Sequence, residues 1–398
     1  PQALAAFAEL TVESPPDDGR SVVTMFAPLF QTRDYDPTLL FPRLLDALGH
    51  VGVAAVILDL ANYVTRCGIA LRHPGTERLE ELVRLLGGIV GHLGRLESTP
   101  PTDGEMAKTM SKTINDGVAL AVSLCDALAL VGDKSAAGKL YQAMELGHRR
   151  LRTEAAAALA RLGEEAGVEA MVRLAAEPVS RLRVLAYSEE LGVLDKVSEQ
   201  YQTAEAKAEA ELALWLADPA QMGIPPTDCE LVDRRTQYWP SYDEPVDCFV
   251  FRFTYDLGQA EFSNIGIAGP LAHAFGADLS DLPPDDIYAA FAGWHAKHKE
   301  IVEIDAEQAN DAQRTDIARL ERRLRDEGYE AIQPMTLGLF FGDRTLVAEA
   351  VREGTSGHAV VDAERTYWFA RGVNRSPLGP HEAYCIYKGR KLLQFFNR

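Results

Sequence analysis

Apolar residues recur at helical spacing up to about Ala217 and alternate along much of the remaining chain. Leu39, Leu40, Leu44, Leu45 and Leu48 recur at helical spacing, so a helix is expected to run from Asp36-Pro37 to Gly49. Val51–Arg66 reads as a second, mostly apolar helix, and Glu77–Leu96 as a third with Leu79, Leu82, Leu85 and Leu86 on one face. Between Ser98 and Thr113 the composition turns polar, with Pro100-Pro101 and Gly104, and a loop is expected before Ile114–Leu130 resumes the helical pattern. Ahead of all this, Ser21–Phe30 suits a strand or a short helix, and residues 1–37 read as a leader.

The middle of the chain repeats itself. Leu130-Val131-Gly132-Asp133 recurs as Arg161-Leu162-Gly163-Glu164 and as Glu190-Leu191-Gly192, which sets the glycines 31 and then 29 residues apart. A period near 30 with two helical stretches per unit marks stacked helical hairpins. Ser135–Leu146 with Leu151–Leu162 forms one hairpin, Gly167–Ala176 with Arg181–Leu191 a second, and Val197–Tyr201 with Ala204–Ala217 a third. Gly163 and Gly192 suit helix C-terminal caps in the left-handed region. The alanines at 155–158 and 160 form a stripe that lets helices approach closely.

This stretch resembles HEAT repeats, in particular the short PBS-lyase-like kind. The matching residues are Val131-Gly132-Asp133-Lys134, Leu151-Arg152 with Ala155-Ala156, Leu162-Gly163, Leu182-Arg183 with Ala186, and Leu191-Gly192. The likeness covers 131–192 and extends more loosely over 38–217. It implies an α-solenoid whose extended surface holds a protein or peptide partner. The chain departs from the family pattern ahead of Arg152 and Arg183, where His148-Arg149-Arg150 and Val179-Ser180 replace the usual acidic turn residues. That puts the family's Asp–Arg ladder between repeats in question. Arg152 and Arg183 are expected to brace neighbouring repeats, while Arg149, Arg150 and Arg181 are the candidates for an acidic partner segment.

Near Gly223-Ile224-Pro225-Pro226 the pattern changes. Phe249, Phe251, Phe253 and Tyr255 alternate with Val250, Arg252 and Thr254, the period of a strand. A hairpin turn at 256–259 leads into a strand over Ala260–Ile267. Helices are expected from Pro283 to Ile301 and from Ala306 to Glu327. Strands follow at Ile332–Phe341, Thr345–Val351, His358–Asp362, Thr366–Ala370, Ala383–Tyr387 and Lys391–Phe396. The expected fold class is therefore multidomain: an N-terminal all-α helical-hairpin solenoid over 38–222, then a C-terminal α+β domain over 223–398 with a mostly antiparallel sheet.

Composition narrows the function. The net charge is -19. The acidic excess lies in both halves, leaving no basic half for a phosphate backbone, so nucleic acid is not an expected partner. Five cysteines (Cys67, Cys125, Cys229, Cys248, Cys385) form no C-x-x-C pair and suit reduced thiols. The most apolar run, Val51–Val64, contains Asp59 and is short for a bilayer. A cytoplasmic, non-membrane protein without a cofactor is expected, with a protein or peptide partner and a homodimer open.

Two groups of side chains carry candidate chemistry. His295 and His298 form H-x-x-H on a helix and would share a metal if they face one way, the alternative being a polar helix end. His358, Asp362, His381 and Glu382 are the candidate catalytic set, in a region that also holds Glu364, Arg371, Asn374, Arg375, Ser376 and Cys385. His381 with Glu382 or Asp362 would make an acid–base pair, and Cys385 with a histidine a nucleophile pair, whereas a thiol between Tyr384 and Ile386 is more simply a buried one. An enzyme of hydrolase or lyase type, with its site in the C-terminal domain, is the alternative to a binding scaffold. Asn264–Pro270 holds G-x-x-G only, without the dinucleotide or Walker pattern.

Overall fold

The computed structural model describes residues 2–16, 18–98, 104–258, 260–371 and 378–397. The chain divides into two compact units, Pro1–Gln202 and Thr203–Arg398. The first is all helical and the second α+β, with antiparallel sheets.

In the first unit, α1 (Gln2–Glu13) and α2 (Gly19–Gln31) precede α3 (Val51–Arg66). Residues 1–37 are thus not a detached leader: Ala8, Val22, Phe26 and Leu29 are buried in the helical core. Asp18 opens α2 by accepting the Ser21 amide at 2.9 Å. The helix expected over 36–49 is instead two 3-10 turns, Pro37–Leu39 and Arg43–Ala47. Pro42 has no N–H to carry an α-helix through, yet Leu40, Leu44, Leu45 and Leu48 still reach the core.

Three helix pairs follow: α4 (Leu79–Glu97) with α5 (Gly104–Val131), α6 (Ala137–Met144) with α7 (Arg149–Arg161), and α8 (Glu165–Leu174) with α9 (Pro178–Glu190). α3, α5, α7 and α9 pack successively side by side, and α4 packs on α6. The hairpins are therefore stacked. Gly132, Gly163 and Gly192 end their helices at φ 79, 80 and 66. Beyond the last two, the amides of Glu164 and Val193 reach back to the carbonyls of Leu159 and Ser188, closing the cap as the repeat suggested. Gly167 lets α8 lie on α7, since a Cβ there would stand 2.4 Å from the Ala160 nitrogen. By length and composition α5 is apolar enough to cross a bilayer, but half of its most apolar window is buried inside the unit.

The third hairpin does not join this stack. Only a 3-10 turn, Glu199–Tyr201, forms there, and α10 (Ala204–Leu216) belongs to the second unit. The division consequently falls after Gln202 rather than after residue 222. The cause is apolar contact: Ala208, Leu212 and Leu216 of α10 cluster with Phe249, Phe251, Phe253 and Tyr255.

Those aromatics lie on β2 of a four-stranded antiparallel sheet ordered β1 (Asp228–Gln237), β2 (Val246–Asp256), β3 (Glu261–Ala268), β4 (His273–Ala274). After α11 (Pro284–His295), a five-stranded antiparallel sheet comprises β5 (Ile301–Asp305), β6 (Glu330–Phe340), β7 (Asp343–Arg352), β8 (Thr355–Val361) and β9 (Thr366–Ala370). α12 (Asp311–Asp326), opened by an Asn310/Gln313 capping box, sits between β5 and β6 in sequence. Alternation sorts the layers. Phe249 and Phe251 face α10, while Cys248 and Val250 cluster with α11 and with the last helix, α13 (Pro380–Phe396). On the second sheet Val347 and Val360 join that same central cluster, whereas Leu346, Ala348, Ala359 and Val361 pack on Ile317, Leu320 and Leu324 of α12. The order across the unit is α10, first sheet, α11 with α13, second sheet, α12.

α13 corrects the two strands expected over 383–396. Ala383 through Gly389 are all buried, because helices and strands surround this helix, so no polar face breaks the apolar run. Its approach to α11 is nearly backbone on backbone. A Cβ on Gly293 would stand 1.9 Å from the Cys385 carbonyl oxygen, and one on Gly389 would stand 1.8 Å from that of Ala289.

Candidate functional site

The charged side chains of the helical unit tie its hairpins together. Arg183 donates to Glu154 at 2.7 Å and the Tyr187 hydroxyl donates to the same carboxylate at 2.6 Å. Arg161 reaches Glu190 at 2.8 Å, and Arg152 pairs with Glu177. These arginine–glutamate pairs link α7 to α9 and to the turn before it. Arg152 and Arg183 brace neighbouring helices as expected. Near the start of the unit lies a neutral polar knot: the His73 ring bonds Asn62 of α3 at 3.0 Å and accepts the Gly75 amide, and burial pushes its imidazole down to about 4.

Of the three arginines expected to meet a partner, Arg181 does not reach the surface. It is 3% exposed and its Nε donates to the Ala175 carbonyl at 2.9 Å, so it holds the turn before α9. Arg149 and Arg150 are exposed in the first turn of α7, which carries no acidic residue. Glu97 accepts the Gly147 and His148 amides just ahead of them. Arg149 approaches Glu177 at 3.8 Å, and Arg150 has no ion-pair partner among the described residues. A pocket of about 640 Å³ opens elsewhere in this unit, lined by Leu48, Val51, Leu85, Ile89 and Leu120 with Arg84 and Asp116, and none of the expected site residues lies in it.

In the second unit the metal pair fails geometrically. α11 ends at His295, so His298 lies beyond the helix and the two rings share no helical face. His295 Nδ1 accepts the Trp239 indole N–H at 3.0 Å, and His298 Nδ1 accepts the Glu300 amide. Among the described residues no three of His, Cys, Asp or Glu gather as metal ligands.

The four candidate catalytic residues also part company. Among the described residues no hydrogen bond or ion pair joins any two of them. His358 is buried on β8, which lowers its basicity. Glu382 caps α13, accepting the Gly379 amide at 2.9 Å. Asp362 is filled: one oxygen takes the amides of Glu364 and Arg365 at 2.7 and 2.8 Å, the other the Tyr387 hydroxyl and the Lys391 ammonium, each at 2.9 Å. These donors hold its carboxyl below the usual range despite burial. Asn374, Arg375 and Ser376 lie outside the described residues.

His381 instead meets Cys385, one helical turn on, at 3.7 Å from Nε2, and Glu303 of β5 at 3.7 Å from Nδ1. Lys388 joins Glu303 at 2.9 Å. Contact with the Cys385 sulfur and with Glu303 pushes the imidazole up to about 10, and His381 with Lys388 holds Glu303 down to about 2. The order carboxylate, imidazole, thiol is that of a nucleophilic triad. Cys385, however, is 0% exposed between α11 and the sheets, closed to a substrate. Glu303 lies in a strand without clear alternation, and nothing in its spacing tied it to His381.

Another cleft lies at the far end of α13. Phe340, Phe341, Tyr367, Phe395 and Phe396 line about 540 Å³, with Asp362, Glu364, Arg365 and Lys391 as its charged groups and Gln394 beside them. Phe341 and Gly342 make the β6–β7 turn at φ 48 and 89. For a phenylalanine that conformation costs on the order of 1 kcal/mol, and it leaves the ring 49% exposed. Of these residues only Asp362 and Glu364 stood out in the sequence. No protein-family model matches the chain, no curated protein matches it, and no solved structure matches its fold.

Proposed function

We propose that the protein is a binding scaffold whose stacked hairpins present Arg149 and Arg150 to an acidic segment of a protein or peptide partner. The supporting observation is where positive charge is left over. Arg152, Arg161 and Arg183 are taken up in ion pairs with glutamates. Arg149, at 3.8 Å from Glu177, and Arg150, without an ion-pair partner among the described residues, stand exposed in the first turn of α7, where the helix dipole is already positive. Two cations there oppose the dipole by about 0.3–1 kcal/mol each. They add to the dipole's attraction for a carboxylate, and the braced stack fixes their backbone, so that only the two side chains are ordered on binding. The resemblance to HEAT repeats favours the same reading. No catalytic role is advanced, since Asp362, His381 and Glu382 each serve a separate structural partner and His358 is buried on β8.

The test is crosslinking capture from the native host with wild type and with the Arg149→Glu/Arg150→Glu double variant. Loss of the captured partner, with thermal midpoints within about 2 °C of each other, is the expected result. Equal capture by the double variant would overturn the reading.

A further inference from the structure

We infer that the aromatic cleft at the end of α13 binds a free α-amino acid carrying an aromatic or large aliphatic side chain. The inference is independent of the partner proposed for the helical unit. It starts from which charges in the cleft are already spent. Asp362 receives four donors, and Lys391 is held between Asp362 at 2.9 Å and Asp343 at 3.3 Å. These two form a neutral, rigid base to the cleft. Glu364 and Arg365 are different. Both are exposed, both line the same cleft, and neither side chain has a hydrogen-bond or ion-pair partner among the described residues.

One free carboxylate and one free guanidinium on adjacent residues match a ligand that carries both charges close together. A purely anionic or purely cationic ligand would bring like charge against one of the two. An α-amino acid places its ammonium and carboxylate on one carbon and leaves a single side chain to meet Phe340, Phe341, Tyr367 and Phe395. The volume of about 540 Å³ accommodates such a molecule and falls within the range of small-ligand sites. Phe341 and Gly342 turn the β6–β7 hairpin through two left-handed residues, as Glu353 and Gly354 turn the β7–β8 hairpin, and Phe341 thereby lines the cleft.

Isothermal titration of the full chain with L-phenylalanine, N-acetyl-L-phenylalanine, L-phenylalaninamide and L-alanine tests this. Saturable one-to-one binding of L-phenylalanine is expected, with each of the other three weaker by about tenfold or more. Glu364→Gln should weaken L-phenylalanine about tenfold and abolish its preference over the N-acetyl form, while Arg365→Gln should abolish the preference over the amide. Both side chains are exposed and unpartnered, so the variants keep the wild-type melting point. The inference is overturned if L-phenylalanine shows no saturable binding up to millimolar concentration. It also fails if the analogues bind as well as the parent, or if both variants weaken all ligands alike.

Discussion

The helical unit and the α+β unit solve the problem of close helix packing in opposite ways. In the first, α7, α8 and α9 meet through a stripe of alanines, with a glycine ending α5, α7 and α9 and ion pairs such as Arg183–Glu154 across the join. The same device recurs about every 30 residues, so it can be read locally. In the second, α11 and α13 are far apart in sequence and meet through Gly293 and Gly389, each set against the other helix's backbone. The contrast teaches that repetition spreads the cost of a defect over similar joins, whereas a single crossing concentrates it.

The sharpest way to break the comparison is a methyl group. Gly389→Ala should cost about 3 kcal/mol or more, because the added carbon meets backbone that cannot rotate away; urea melts of the two-unit chain should show the second unit's transition shifted or lost. If that transition keeps its midpoint, the crossing is looser than described. A smaller effect is expected in the helical unit from Glu154→Ala. This removes an acceptor shared by Arg183 and Tyr187 and should cost about 1–3 kcal/mol, read as a shift of the first unit's transition alone. The smallest effect concerns charge state. His73 of the helical unit, depressed to about 4, should stay neutral at pH 6. His381, raised to about 10, should stay charged through pH 8, as the imidazole proton shifts in an NMR titration would record. Because the folded His381 binds its proton more tightly than the unfolded one, its contribution to stability is complete below about pH 6.5 and is lost as pH rises through about 10. An inflection for His381 near pH 6.5 would dissolve its pairing with Glu303.

These differences also explain how much of the molecule was legible in the sequence. The caps at Gly163 and Gly192 were, because a positive φ and a 30-residue recurrence leave local marks. The alternation of Phe249, Phe251 and Phe253 was as well, and it correctly implied a two-faced strand; what covers one face is α10, which the helical pattern had assigned to the preceding repeats. α13 was not legible as a helix. A helix surrounded on every side has no polar stripe, and Ala383–Tyr387 is indistinguishable by period from a buried strand. At the sites, Arg152 and Arg183 were readable as braces from their phase in the repeat. The burial of Arg181 was not, since its partners are the backbone carbonyls of a turn. The pairing of His381 with Glu303 joins residues that only the fold of the second unit brings near, so spacing offered His381 and Glu382 as partners when the two have separate tasks.

The position of α13 has a consequence for how the molecule is made. This helix supplies the core that the two sheets of its unit share, yet it is translated after both. While the ribosome is still adding residues 380–396, the apolar inner faces of β2, β3, β7 and β8 lack the part of their covering that α13 supplies. Hairpins of the first unit, by contrast, can settle one after another as they emerge. Nascent chains halted shortly before residue 380 are therefore the species on which a chaperone would find the largest exposed surface.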